Sequence, residues 1–137
     1  MSEKYFMHKG FLIAGTLSAG LAVTLGAFGA HGLQNVTDDA KIIHAFQTGV
    51  EYQMYHALAL FIVAFIFERK PLGAVKWAGK LFITGIILFS GSLYAITAIK
   101  INELTSLEKI GILTPIGGVF FIAGWLMLLA GILKRQS

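Results

Sequence analysis

Polar positions are scarce along this chain and collect into short breaks between long apolar runs. Residues 11–30, 54–67, 81–99 and 110–133 carry almost no charge, and Lys109 stands just outside the last of them. A helix needs about 20 apolar residues to cross the hydrocarbon core of a bilayer. The first, third and fourth runs reach that length. The second does so if it begins near Val50, with Glu51 and Gln53 in its first turns. Spans at 11–30, 50–67, 81–99 and 112–133 follow, in a single integral membrane domain covering residues 1–137.

Backbone amides and carbonyls cannot face lipid unpaired, which leaves helices or a closed barrel. Barrel strands alternate apolar and polar residues. Residues 81–89 do not alternate, so the expected fold is all-α, a compact four-helix transmembrane bundle. Composition agrees, since 56% of the residues are hydrophobic and 13% charged. A soluble domain of this length has too little interior to bury four such runs. A cleaved signal peptide is the rival for the first run. That run is about twice as long as a signal core, and Gly29-Ala30-His31-Gly32 is a poor cleavage site.

Charge sets the expected orientation. The eleven Lys and Arg residues divide between the two sides of a four-span arrangement. Lys4, Lys9, Arg69, Lys70, Lys76, Lys80, Lys134 and Arg135 fall on one side, and Lys41, Lys100 and Lys109 on the other. Short cytoplasmic loops are enriched in basic residues, so both termini and the 68–80 loop are expected in the cytoplasm. The net charge of +4 therefore reflects topology, and no nucleic-acid partner is expected. Membrane lipid is the expected surrounding, with a second copy or another membrane protein as partner.

The breaks carry local signals. Thr37-Asp38-Asp39 reads as a helix start, with Thr37 or Asp38 as the cap. A short outer-surface helix is expected from there, through His44 and Gln47, leading into the second span. Pro71 closes that span on the cytoplasmic side, because the residue before a proline avoids helix. Thr114-Pro115 reads as the start of the fourth span. Proline in a first turn forfeits no hydrogen bond, and Thr114 is expected to cap. The exposed amides there would form an anion site or only a helix start.

Small residues recur on fixed faces. Gly117, Gly124 and Gly131 repeat every seven residues, and Gly15, Ala19, Ala22, Gly26 and Gly29 follow three-and-four spacing. Such seams let helix backbones approach closely in lipid. The first and fourth spans are expected to contribute the tight contacts. No Gly-Lys-Ser/Thr phosphate loop accompanies them.

A rise of 1.5 Å per residue gives a depth scale. Counted from Glu68, His56 lies about 18 Å in, Gln53 about 22 Å and Glu51 about 25 Å, across a core of roughly 30 Å. Ser90 falls near the middle of the third span, with Ser92, Tyr94 and Thr97 beyond it. Thr114 and His31 stand at outer ends. His31, Glu51, Gln53, His56, Ser90, Ser92, Tyr94 and Thr114 thus form a candidate polar cluster in the outer half. An imidazole inside a membrane requires a partner and often marks a pathway. For His56 the expected partner is Ser90, Ser92 or Tyr94. Glu51 is expected at headgroup level or paired with His31, His44 or Lys41.

Chemistry is less legible. With no cysteine, thiolate metal sites and disulfides are excluded. A histidine–carboxylate metal site would need His31, His44, Glu51 and His56 to converge, and no HExxH or Glu-x-x-His pattern supports one. Two histidines at matched depth for haem are not found. Ser90 and His56 would resemble a nucleophile and base only within hydrogen-bond reach. No catalytic residue, metal or cofactor is assigned.

Four stretches carry a resemblance. They are Gly26-Ala27-Phe28-Gly29-Ala30-His31-Gly32-Leu33, Tyr52-Gln53-Met54-Tyr55-His56-Ala57-Leu58-Ala59, Leu88-Phe89-Ser90-Gly91-Ser92-Leu93-Tyr94 and Thr114-Pro115-Ile116-Gly117-Gly118. Together they resemble the uncharacterised domain-of-unknown-function 423 family of small bacterial inner-membrane proteins, with an animal relative called transmembrane protein 256. The resemblance implies a four-span protein of the bacterial inner membrane and supplies no reaction, substrate or cofactor. Three readings stand: a non-enzymatic scaffold or accessory bundle, a small oligomeric transporter or channel using the cluster around His56, and a ligand-, metal- or quinone-binding redox or lipid-modifying subunit.

Overall fold

The computed structural model describes residues 8–135. Lys4, counted above toward orientation, lies outside them. Every regular element among the described residues is helical. Helix α1 spans Lys9–His31, α2 Ala40–Arg69, α3 Gly73–Gly85, α4 Gly91–Ile101 and α5 Leu113–Leu133. A π-helical turn, Ile86–Ser90, joins α3 to α4, so the two form one rod, Gly73–Ile101. A 3-10 stretch, Thr105–Ile112, leads into α5, and a shorter one, Leu33–Asn35, follows α1. Among the described residues, four helical segments are long and apolar enough to cross a membrane.

The segment expected as an outer helix is continuous with the second span. Asp39 caps it, its carboxylate accepting from the Lys41 amide at 2.8 Å. Thr37 bonds the Asp39 amide instead. The third span begins at Gly73 rather than 81, because Lys76 and Lys80 sit exposed on α3. Long basic side chains reach outward along an apolar surface while their helix continues. Lys80 lies 4.8 Å from the Trp77 ring. The 68–80 connection thus shrinks to the few residues around Pro71.

Thr114 does not cap α5. The helix starts at Leu113, with Ile112 two residues before Thr114 at the cap position and no side-chain cap. The preceding 3-10 turn already occupies the Leu113 amide, and Pro115 sits in the first helical turn.

Packing follows the small-residue seams. Helix α1 lies along α2, α5 lies along α3, and α2 also touches α3 and α4. The buried stripe of α1 is Phe11, Gly15, Ala22 and Gly29, while that of α5 is Gly117, Phe121, Gly124, Leu128 and Gly131. The α5 stripe advances by threes and fours, the 3.5-residue repeat of helices that stay in register along a shared seam. The core joins Phe11, Leu60, Val63, Val75, Phe82, Phe121 and Leu128. At the Arg69 end, the Lys70 ammonium donates to the carbonyls of Ile132 at 2.9 Å and Lys134 at 3.3 Å. That satisfies the terminal carbonyls of α5 and places a cation at its negative end.

Candidate functional site

The polar residues at mid-bundle and towards its Leu33 end resolve into separate hydrogen-bonded sets. The first ties three helices. Gln53, 2% exposed on α2, donates through Nε2 to the Ser18 carbonyl of α1 at 2.8 Å. Its Oε1 accepts from the Tyr94 hydroxyl of α4 at 2.7 Å. One carboxamide thus holds a donor and an acceptor role on opposite sides. Ser18 takes part through its backbone, which nothing in its residue type announces.

The second set depends on the π turn. One extra residue per turn shifts the face that follows. Ser90 closes that turn fully buried, and its hydroxyl donates to the Gly49 carbonyl of α2 at 2.6 Å. Gly49 leaves room for the approach, because a Cβ there would meet Tyr94 Cε1 at 2.9 Å. The third set pairs the Ser92 and Thr114 hydroxyls at 2.6 Å, while Ser92 also reaches the Phe89 carbonyl.

His56 has different partners from those expected. Its Nδ1 lies 2.7 Å from the Tyr52 carbonyl one turn back. Its Nε2 accepts from the Trp125 indole N–H of α5 at 3.1 Å. Since the indole nitrogen is only a donor, this arrangement assigns the proton to Nδ1. The ring stacks on Phe121, with centroids 3.5 Å apart and planes 8° from parallel. Ser90, Ser92 and Tyr94 are engaged elsewhere, so His56 bonds none of them. The reason is rotational: α2 turns His56 toward α5, while the Ser90 hydroxyl meets α2 at Gly49, about two turns away along the helix.

Sequence reading missed Trp125. Counting inward from Lys134 puts it about 13 Å deep, near the His56 level. The indole N–H was the available donor in a segment read as purely apolar. Tyr52, Phe82 and Phe121 complete the aromatic surroundings of His56, with His56–Phe82 centroids 5.4 Å apart, and Phe89 packs behind them on Tyr52 at 4.7 Å.

His31 and Glu51 do not join these sets; both are exposed. Among the described residues no three His, Asp or Glu side chains approach closely enough to hold a metal ion. The Ser90 hydroxyl and both His56 nitrogens are committed, which leaves no serine–histidine pair. Every buried side-chain nitrogen and oxygen among the described residues has a partner.

The seam glycines sit where side chains cross. A Cβ at Gly15 would meet the Ala57 carbonyl at 3.0 Å, at Gly26 the Val50 side chain at 3.3 Å, and at Gly29 the Phe46 ring at 2.8 Å. On α5, Gly124 faces Phe82 and Gly131 faces Val75, both at 2.7 Å, and Gly117 lies against the Phe89 backbone. Helix α1 thus uses its seam on α2, and α5 uses its seam on α3 and the π turn of the preceding span.

These features define a helical membrane protein whose buried polar side chains make contacts between and within helices. The chain belongs to the family described as "Protein of unknown function (DUF423)", which matches residues 25–118. It is 47% identical over 127 residues to the UPF0382 membrane protein YwdK of Bacillus subtilis, covering 92% of this chain and 98% of that one. A UPF0382 membrane protein of Staphylococcus saprophyticus is 47% identical over 126 residues, with coverage of 92% and 98%. One from Staphylococcus aureus is 46% identical over 126 residues, with coverage of 92% and 97%. No solved structure matches.

Proposed function

We propose that this protein is a non-enzymatic scaffold or accessory bundle, embedded by four spans in the bacterial plasma membrane with both termini in the cytoplasm. The observation that carries the reading is the double engagement of Gln53. A side chain that lines a path for ions or solutes needs a free valence to offer them. Gln53 instead is buried, with one amide hydrogen held by α1 and its carbonyl by α4. The Ser90 hydroxyl and both nitrogens of His56 are used in the same way. Hydrogen bonds of this kind fix helices against one another in lipid. The surfaces left for recognition are then the outward faces of α1, α2 and α5, where Leu17, Leu58 and Ile122 are exposed.

The test is gentle solubilisation of tagged wild type, followed by native mass spectrometry and identification of co-purifying membrane proteins. A defined second copy or a reproducible protein partner is the expected result. A monomer that carries a non-lipid small molecule, lost in His56→Ala, would replace this reading with a ligand-binding one.

A further inference from the structure

A groove of about 310 Å³ opens between α1 and α2, and none of the residues of the hydrogen-bonded sets lines it. Gly26, Gly29 and Ala30 of α1 form one wall, and Phe46, Val50, Gln47 and Glu51 line the other side. Two features give it a negative character. Glu51 is exposed, and no described residue pairs with its carboxylate. The α1 wall belongs to the last turns of a helix ending at His31, where the peptide dipoles sum to a partial negative charge. His31 is the cationic candidate of that turn, and Lys41 and His44 stand on the opening turns of α2; all three are exposed. None of them lines the groove.

Position narrows the occupant. Glu51 lies about 27 Å along α2 from Arg69, near the far boundary of a core roughly 30 Å thick. On the charge-based orientation, that is the headgroup level of the outer leaflet. Towards the membrane interior the same faces continue as apolar surface, with Val23 on α1 and Tyr55 and Leu58 on α2 exposed. These residues follow the groove wall at helical spacing. A carboxylate and a helix C-terminus above an apolar track complement a headgroup that ends in an ammonium, with an acyl chain below it.

We infer that the α1–α2 groove binds a phospholipid bearing a primary ammonium in its headgroup, with the ammonium on Glu51. This does not rest on the scaffold reading, since a transporter or a scaffold could hold such a lipid. An interaction between exposed charges is modest, so the expected preference over an anionic headgroup of equal chain length is about twofold to fivefold.

The experiment equilibrates the purified full-length protein in detergent with equal amounts of phosphatidylethanolamine and phosphatidylglycerol, then counts retained lipids by native mass spectrometry. Wild type and Glu108→Gln, a control that removes an exposed carboxylate outside the groove, retain phosphatidylethanolamine preferentially. Glu51→Gln loses the preference, and Ala30→Phe, which fills the groove from its exposed wall, lowers retention of the lipid itself. An equal preference in wild type and Glu51→Gln would overturn the inference. So would a lipid-free dimer that Glu51→Gln abolishes, which would assign the groove to a second copy.

Discussion

The Trp125 indole reaches across from α5 and donates to Nε2 of His56, 69 residues earlier in the chain, at 3.1 Å. This bond accounts for a histidine in an apolar bundle. The imidazole has an acceptor position filled by Trp125, a donor position filled by the Tyr52 carbonyl, and an aromatic face against Phe121. The bond links α2 to α5.

Trp125→Phe leaves Nε2 of His56 without its donor. The expected loss of stability is about 1–2 kcal/mol, the upper range for hydrogen bonds between membrane helices. His56→Ala also opens a cavity beside Phe121 and costs more, about 2–4 kcal/mol. The double variant His56→Phe/Trp125→Phe removes both polar partners while keeping aromatic volume, so it unfolds closer to wild type than the sum of its single variants. Thermal unfolding in one detergent measures all of these.

Gly117 and Gly118 provide an adjacent pair with opposite expectations. A methyl at Gly117 would overlap the Phe89 backbone, which cannot swing away as a side chain does; at Gly118 the nearest atom is 3.8 Å away. Gly117→Ala therefore destabilises by about 1–3 kcal/mol, as overpacking does. Gly118→Ala changes stability by less than about 0.5 kcal/mol. Expression yield and unfolding temperature should separate the two.

Gln53 and Tyr94 should be energetically coupled. Tyr94→Phe leaves Oε1 of Gln53 unpaired and costs about 1 kcal/mol. Gln53→Leu releases both the Ser18 carbonyl and the Tyr94 hydroxyl, and so costs more. In the background of Gln53→Leu, Tyr94→Phe should have little further effect. A double-mutant cycle reads the coupling directly; simple additivity would mean that the bond contributes nothing.

Orientation can be checked separately. A phosphatase reporter fused after Arg135 should be inactive and a cytoplasmic fluorescent reporter at the same site active. The reverse pattern would contradict the basic-residue asymmetry on which the topology rests.

The helices and their seams were legible because lipid leaves so few solutions. Long uncharged runs without alternation read as helices, and glycine at seven-residue spacing reads as a close-packing face. Boundaries were less legible where charge and helix overlap: Lys76 and Lys80 looked like a loop but lie on α3. The polar cluster was legible by depth and not by direction. Residues 85–91 contain the π turn, which a uniform 3.6-residue period does not anticipate, and that turn determines where the Ser90 hydroxyl points. Backbone acceptors such as Ser18 and Gly49 carry no side-chain signal. Trp125 had one, its single donor, within about one helical turn of the His56 level.

The most direct test of a bundle whose interior polar groups are structural is proton flux in vesicles. Purified wild type and His56→Phe/Trp125→Phe would be reconstituted at equal density with an internal pH-sensitive dye under an imposed potential. Both should match protein-free vesicles. Flux in wild type that the double variant abolishes, with its thermal stability retained, would contradict this account and make His56 part of a pathway.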